Sequence, residues 1–419
     1  MAEWLGLLLT RRMLICVVTG FSSGLPLYLL LNLLPAWLRS DGIDLRTIGL
    51  FALIQFPYTW KFLWAPALDR YHLPLGRRRG WILASQAGLL LSIGLLGGLS
   101  PAADLGEVIA LTALLAFLSA TQDIALDAFR REILSDQELG LGNSVHVNAY
   151  RIAGLVPGSL SLILADLLPW AQVFWITAAF MLPGMIMAAA VDEPAVAGAP
   201  KTLAEAVVEP FHEFIGRQGW AGALLVLSFI FLYKLGDSLA TALATPFYLD
   251  LGFTKTDIGV IAKHAGLWPA VFGGLLGGLW MIRLGINRAL WLFGVVQMVT
   301  ILGFAWLAWR GVGESVDAVD RAALAVVIGA ECLGVGLGTS AFVAFIARAT
   351  NPAFTATQFA LFTSLAAVPR TFINATAGII VEWLGWTSFF FLCFLLAAPG
   401  MLLLLKVAPW NDSRQLPNS

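Results

Sequence analysis

Long apolar runs recur along almost the whole chain, separated by charged residues and by Gly/Pro clusters. A helix that crosses a bilayer needs about 20 apolar residues, and twelve such runs can be marked out. Only 12% of the 419 residues are charged and 59% are hydrophobic, whereas about 25% are charged in an ordinary soluble domain. Strands of an outer-membrane barrel would instead give short alternating segments. The sequence therefore predicts an all-α polytopic membrane protein.

The breaks between the apolar runs define the spans and their orientation. They place spans 1 to 12 near residues 13–38, 46–67, 81–99, 107–127, 142–166, 170–191, 220–249, 257–281, 288–309, 321–347, 355–381 and 384–407. With a cytoplasmic N-terminus, the inner segments carry 15 of the 25 Lys and Arg residues and the outer loops carry 5. This bias predicts that both chain ends lie in the cytoplasm.

A polar stretch divides the chain into two similar halves. We expect an N-terminal six-helix bundle over residues 1–191, a cytoplasmic linker with an amphipathic helix on the membrane surface over 192–219, and a C-terminal bundle with a short tail over 220–419. The pattern Pro-x-x-Leu…Gly…Ile-Gly occurs at residues 35–49 and again at 246–259. Chance similarity of apolar sequence is one explanation. The other is a transporter built from repeats related by a pseudo-twofold axis, with its substrate site between them.

A charged turn connects spans 2 and 3. It contains Asp69 and Arg70, followed by Arg77 and Arg78 within a Gly-Arg-Arg-Arg-Gly segment, and it resembles the signature loop of the major facilitator superfamily. A carboxylate and guanidinium groups at helix ends can form a bidentate pair that breaks when two bundles rock. An excess of inner positive charge would explain the arginines but not Asp69. We therefore expect a cytoplasmic gate here.

Charged side chains within the first-half spans are candidates for function because their insertion costs at least about 2.5 kcal/mol each. Asp123 and Asp127 lie four residues apart on one face of span 4. Two carboxylates this close disfavour double ionisation, so one is available to hold a proton. Lys61 and Arg151 fall at a comparable depth, which predicts a Lys61/Asp123/Arg151 cluster. The alternatives are a purely structural ion pair, and for Asp127 a partner in the arginine pair 130–131.

The second-half spans hold a further set of charged groups. Lys234 and Asp237 lie three residues apart in span 7, where an intrahelical ion pair and a substrate contact are both open. Glu331 in span 10 has no local partner and is a second candidate for proton coupling. Arg370 in span 11 is suited to hold a carboxylate or phosphate, and His264 in span 8 to titrate near neutrality.

Other classes of protein lack support in the sequence. The four histidines show no metal-ligand spacing, no P-loop is present, and the net charge of −1 leaves no nucleic-acid footprint. A membrane-embedded transferase acting on a lipid-linked sugar would need a cluster of His, Asp or Glu in a surface loop, and the long loops here are basic or linker-like. We expect a monomeric transporter and not an enzyme, with a small-molecule substrate, no metal, no cofactor and the proton gradient as its energy source.

The first half carries a set of motifs that resembles one family, the AmpG-type muropeptide permeases of the major facilitator superfamily. The motifs are residues 20–26 (GFSSGLP), 43–49 (IDLRTIG), 61–71 (KFLWAPALDRY), 76–81 (GRRRGW) and 121–128 (TQDIALDA). The resemblance implies twelve helices in two six-helix bundles and proton-driven import of anhydro-sugar muropeptides across the bacterial inner membrane for cell-wall recycling. It also implies roles for Lys61, Asp69, Asp123 and Asp127, which lie at matching positions.

One segment departs from that family. After the Gly-Leu-Pro of span 1, residues 27–35 (LYLLLNLLP) are largely apolar where the family usually has a small polar stretch. Span 1 lines the cavity in this superfamily, so a more apolar solute is an alternative substrate. Permeases of related branches that carry a siderophore or a coenzyme A ester provide that alternative.

Overall fold

The fold is built from helices. The computed structural model describes residues 9–43, 47, 51, 56–194, 202–312, 316–368 and 377–411. These residues contain helices and turns, and the one β-type pairing among them is an isolated bridge between Leu73 and Gly76. The helices are α1 Arg11–Ser40, α2 Phe56–Trp60, α3 Ala65–Arg70, α4 Arg79–Leu96, α5 Leu105–Ile133, α6 Leu139–Ala165, α7 Trp170–Ala190, α8 Leu203–Leu232, α9 Leu235–Ala242, α10 Ala244–Asp250, α11 Lys255–Arg310, α12 Ala318–Ala349, α13 Thr355–Val368 and α14 Ala377–Val407.

The helices coincide with the apolar runs of the sequence. In the described part of the chain, nine continuous helical segments are long and apolar enough to cross a bilayer. One of them contains spans 8 and 9, and spans 2 and 11 are each partly outside the described residues. The prediction of an all-α polytopic membrane protein is confirmed.

Three of the connections are shorter than the sequence predicts. The predicted bounds leave residues 282–287 between spans 8 and 9, residues 382–383 between spans 11 and 12, and the linker 192–219 before span 7. In the structure the helix at each place is broken at a single glycine: Gly285, Gly385 and Gly219, with φ of 69° to 74° and ψ of 160° to 164°. This backbone region is open to glycine and strained for other residues. The helix therefore changes direction at one residue and continues on both sides.

The described chain forms two compact units, each drawn from several stretches of the sequence. One unit contains the described residues up to Asp136 together with Val145–His212 and Thr350–Ser364. The other contains Gln137–Ser144, Glu213–Ala349 and the described residues from Leu365 onward. The beginning of α6 thus packs with the second unit, and the beginning of α13 packs with the first. The boundaries predicted at residues 191 and 219 remain a prediction.

Each unit has its own buried core. In the first unit, Trp37 of α1 packs edge-on against Phe174 of α7, with ring centroids 4.9 Å apart. In the second, Phe247 of α10 packs edge-on against Phe390 of α14 at 4.8 Å. Outside these cores, Trp309 and other large apolar side chains are exposed, as expected for surfaces that face lipid.

Helices α1 and α6 approach closely through glycines. A Cβ added to Gly20 would lie 2.1 Å from the carbonyl oxygen of His146, and one added to Gly24 would lie 2.3 Å from that of Tyr150. Small residues permit this close approach of the two backbones, and the van der Waals packing that results is one of the forces that associate helices in membranes. The contact also brings the polar residues of α1 next to α6.

Substituting Gly24 by alanine is expected to destabilise the protein by about 1–3 kcal/mol because the added methyl group must push α1 away from α6. Gly106 is the matched control, since nothing lies within 4 Å of its added Cβ and alanine is the better helix former. Thermal unfolding in detergent measures both. Equal melting temperatures for the two variants would contradict the close packing of α1 on α6.

The amphipathic helix expected in the linker forms the first part of α8. Its buried stripe consists of Ala206, Pro210 and Phe214, and the carbonyl oxygen of Pro210 accepts a hydrogen bond from the Gln358 amide at 2.9 Å. Part of the apolar face therefore packs against protein. Val207 remains exposed on the same helix, and its contact with a membrane surface stays a prediction.

Candidate functional site

Lys61 lies where a membrane helix is interrupted. α2 ends at Trp60, and a short 3₁₀ turn that begins at Lys61 precedes α3. The Lys61 side chain is 6% exposed, forms a close ion pair with Asp123, and has its Nζ 3.7 Å from Oδ2 of Asp127. The interruption in the helix therefore delivers a buried ammonium group to two carboxylates.

These groups form the first charged cluster, which consists of Lys61, Asp123, Asp127, Arg130 and His146. Nη2 of Arg130 lies 2.8 Å from Oδ1 of Asp127, one turn further along α5. Nε2 of His146 lies 4.0 Å from the same oxygen. The cluster sets two carboxylates against two permanent cations, so its charges are balanced when both aspartates are ionised.

Hydroxyl groups of α1 complete the first charged cluster. The Ser23 hydroxyl donates to Oδ1 of Asp123 at 2.6 Å, and the Thr19 hydroxyl lies 3.1 Å from Nδ1 of His146. The expectation that Asp127 pairs with a neighbouring arginine is met by Arg130. The described ion pairs of the two aspartates go to Lys61, Arg130 and His146, and Arg151, half-buried in α6, is not among them.

The second charged cluster consists of Lys234, Asp237 and Glu331. Lys234 lies at the interruption between α8 and α9, and its Nζ is 2.8 Å from Oδ2 of Asp237 and 3.3 Å from the Thr339 hydroxyl. The intrahelical ion pair that the sequence left open is therefore formed. Lys61 and Lys234 share one arrangement, since each lies at a helix break and pairs with an aspartate.

Glu331 is the most isolated charged group of the second charged cluster. It lies within α12, its side chain has no exposed surface, and neither carboxylate oxygen has a hydrogen-bond partner among the described residues. Oδ1 of Asp237 is likewise unpartnered, and a narrow cavity lined by Tyr233, Asp237 and Gln297 opens beside it. Two carboxylates thus face a single ammonium.

The charged turn between α3 and α4 forms the Asp69 network, which consists of Asp69, Arg77, Arg78, Glu132 and Thr357. The carboxylate of Asp69 is fully buried and accepts from Arg77 at 3.0 Å and from Arg78 at 2.7 Å. It also accepts from the backbone N–H of Thr357 at 2.8 Å and from its hydroxyl at 2.7 Å. Asp69 thereby holds the N-terminus of α13, where backbone N–H groups favour an anion.

Arg78 connects Asp69 to α5. Its guanidinium donates to Glu132 from Nε at 3.0 Å and from Nη2 at 2.8 Å. Burial disfavours its charge, but the carboxylates of Glu132 and Asp69 outweigh burial and raise the pKa of Arg78 above its ordinary value. For Arg77, burial and the neighbouring Arg78 lower the pKa. Glu193 accepts from the Arg78 backbone N–H at 2.8 Å and so caps the start of α4.

The remaining predicted residues lie apart from these clusters. The guanidinium of Arg70 lies 5.6 Å from the ring centroid of Tyr71, which is a surface contact outside the Asp69 network. His264 is exposed on α11. Arg370 lies outside the described residues. In the described part of the chain, no group of three or more His, Cys, Asp or Glu residues is placed to hold a metal ion.

Sequence reasoning missed several partners in these clusters. In the sequence His146 is only one of four histidines without metal-ligand spacing, and no motif marks Glu132, Ser23 or Thr357 as a partner of these charges. Polar residues in apolar runs were the available signal for Ser23 and His146. No local pattern indicates that Thr357 meets Asp69, because 288 positions separate them.

Comparison with known proteins gives a consistent result. Residues 16–374 match the sequence model of the major facilitator superfamily. The chain is 51% identical over 419 residues to an uncharacterized protein of Haemophilus influenzae, covering 98% of this chain and 97% of that one. It is 41% identical over 408 residues to the anhydromuropeptide permease of Escherichia coli K12, covering 96% and 81%. It is 30% identical over 400 residues to the putative transporter AmpG 4 of Rickettsia conorii, covering 93% and 94%.

Solved structures show the same fold at low identity. A bacterial homologue of the iron transporter ferroportin aligns with a TM-score of 0.69 at 14% identity, covering 95% of this chain and 99% of that one. The proton:xylose symporter XylE aligns with a TM-score of 0.69 at 10% identity, covering 97% and 96%. Two of these three sequence relatives are named as a permease and as a putative transporter, and the matching sequence model is that of a transporter superfamily, so the expectation of a transporter and not an enzyme is confirmed. The chain is a multi-pass inner-membrane protein that belongs to the major facilitator superfamily and, within it, to the family of the anhydromuropeptide permeases.

Proposed function

We propose that the protein is a proton-coupled importer of anhydromuropeptides that works by alternating access in the bacterial inner membrane. The observation that carries this proposal is the 41% identity to the Escherichia coli anhydromuropeptide permease over 96% of the chain. The buried charges support it, because ionisable groups at membrane depth are expensive and usually mark a solute or ion pathway. The protein would act as a monomer, with both chain ends in the cytoplasm and no cofactor.

The two charged clusters are suited to a sugar–peptide. Such a solute presents carboxylates, amides and hydroxyls, which need charged and polar partners when they leave water. Lys61 and Arg151 of the first unit, and separately Lys234 of the second, are suited to bind anionic groups, and Arg370 would add a planar guanidinium for a carboxylate. His264, whose side chain is exposed, would contact the solute before the solute leaves water.

Proton coupling needs a carboxylate that changes its protonation during the cycle. Asp123, Asp127 and Glu331 are the proposed carriers, since all three are carboxylates within α5 and α12, helices that are long and apolar enough to cross a bilayer. Asp237 would take part through its ion pair with Lys234. The energy source is then the proton gradient alone.

The Asp69 network would be the cytoplasmic gate. Asp69, Arg77 and Arg78 are buried together, and their bonds reach the first turn of α13. A change of state that moves α13 away from α3 must break several charge-assisted hydrogen bonds at once, which makes the closed gate a discrete state. Arg70 would contribute only surface charge.

Uptake of labelled anhydromuropeptide into proteoliposomes tests the proposed function. With an acidic exterior, we expect accumulation above the external concentration and its collapse when an uncoupler is added. Liposomes without protein are the control. Equilibration without accumulation would contradict proton coupling. No uptake by folded protein would contradict the substrate, and siderophores and coenzyme A esters would then be screened.

A further inference from the structure

Glu331 stands out among the buried carboxyl groups because the one cation that faces it in the described part of the protein, Lys234, is already paired with Asp237. Its side chain is completely buried within α12, and its two oxygens accept no hydrogen bond in the described part of the protein. A carboxylate in that position would be a buried charge without compensation, which proteins avoid by pairing it or by protonating it.

The groups that face Glu331 come from four other helical elements. Lys234 and Asp237 approach from the break between α8 and α9. Tyr248 of α10 and Cys393 of α14 lie within electrostatic range, and both are neutral at physiological pH because their ordinary pKa values are about 10 and 8.5. The hydroxyl of Thr300 on α11, which also faces it, donates to the carbonyl of Gln297 at 3.0 Å. Lys234 is therefore the only facing cation among the described residues.

That cation is already engaged. Nζ of Lys234 lies 2.8 Å from Asp237 and 3.3 Å from the Thr339 hydroxyl. The second charged cluster thus has one positive charge for two carboxylates, whereas the first has two cations for two. The imbalance amounts to one negative charge.

We propose that Glu331 carries the coupled proton, that it is protonated in the state described, and that Asp237 is the group through which it exchanges that proton. The proposal rests on the proposed proton-coupled function and names the site where coupling occurs. A completely buried carboxyl excludes a solute cation, so the proton is the ligand small enough to neutralise it. Of the three proposed carriers, Asp123 and Asp127 each have a cation as partner, Lys61 and Arg130, whereas Glu331 has none of its own among the described residues.

The route of the proton follows from the cavity beside Asp237. Asp237 lines that cavity with Tyr233 and Gln297, and Glu331 does not. A proton entering the cavity protonates the free Oδ1 of Asp237. Its O–H bond then breaks as a new O–H bond forms on Glu331, which returns Asp237 to its ion pair with Lys234. No electrons are exchanged and no other reactant is needed.

The Glu331→Gln variant tests the proposal in proteoliposomes supplied with external labelled anhydromuropeptide. Glutamine has the shape of the protonated acid but cannot release the proton. For one proton per solute, a gradient of one pH unit supports about tenfold accumulation by the wild type, and we expect the variant to reach only equilibration. Exchange of internal for external solute should persist, and its rate should no longer depend on pH.

Two controls separate the possible outcomes. Glu331→Asp keeps a titratable group and should keep uncoupler-sensitive accumulation, and Glu331→Leu should be at least as thermostable as the wild type, because no ion pair is lost. Accumulation by Glu331→Gln at the wild-type level would overturn the assignment of Glu331 and leave the proposed function standing. Failure of the wild type itself to accumulate solute would overturn the proposed function.

Discussion

Replacement of Lys61 by methionine is expected to abolish uptake and to destabilise the protein by about 3–5 kcal/mol, the usual cost of breaking a buried ion pair from one side. The Lys61 side chain is 6% exposed and is the shared cation of Asp123 and Asp127. Without it, two carboxylates face Arg130 alone. Unfolding in detergent measures the stability, and proteoliposome uptake measures the transport.

The double variant Lys61→Met/Asp123→Asn shows whether the single variant is destabilised by its unpaired carboxylate or by lost packing of the lysine side chain. Removing both members of the pair leaves Asp127 with Arg130, so stability should return to within about 1 kcal/mol of the wild type while transport stays absent. Asp136→Asn is the matched control, because Asp136 is 77% exposed in its pair with Arg131 and such pairs contribute about 0–1 kcal/mol. Wild-type stability in the Lys61→Met single variant would contradict a buried ion pair.

The second large effect is expected for Asp69→Asn. Its carboxylate accepts from Arg77, from Arg78, from two backbone N–H groups and from the Thr357 hydroxyl. The asparagine amide has no negative charge, and its NH₂ group, itself a donor, would face N–H and O–H groups that also donate. We expect a loss of about 3–5 kcal/mol in stability and a loss of most uptake.

Two further variants show whether the effect of Asp69→Asn comes from the buried carboxylate, from nearby charge or from a single hydrogen bond. Arg70→Gln changes the neighbouring charge, whose contact is the Tyr71 ring, and should retain uptake. Thr357→Val removes a single hydroxyl and should cost about 1 kcal/mol. Normal uptake by a folded Asp69→Asn protein would contradict a gate at this position.

The sequence was sufficient to predict the elements of the fold but not their connections. Apolar runs separated by charge predict where helices lie, because the bilayer demands about 20 apolar residues per crossing. They do not distinguish a loop from a single-residue break. Gly219, Gly285 and Gly385 are flanked on both sides by residues that are helical in the structure, so the hydrogen-bonded ladder resumes at once.

For the site, the sequence identified the charged residues but not which cation pairs with which carboxylate. Lys234 and Asp237 are near in sequence, so their pair followed from helical geometry. Lys61 meets Asp123 across 62 positions, and hydropathy does not report which helices pack together.

The ion pairs seen in the structure change which carboxyl group is the first candidate for the proton carrier. From the sequence, the two aspartates of α5 are the first candidates and Glu331 the second, because adjacent carboxylates disfavour double ionisation. The contacts with Lys61 and Arg130 supply one cation for each aspartate. Glu331 receives none of its own, which is why the contacts reverse the order of the candidates.

Proton movement that accompanies the solute is the most direct test of the account. Anhydromuropeptide is added to de-energised proteoliposomes in a weak buffer, and the external pH is recorded. We expect wild-type protein to make the medium more alkaline as solute enters, and Glu331→Gln protein, though still exchanging solute, to leave the pH unchanged. Solute entry through the wild type without any pH change would contradict it.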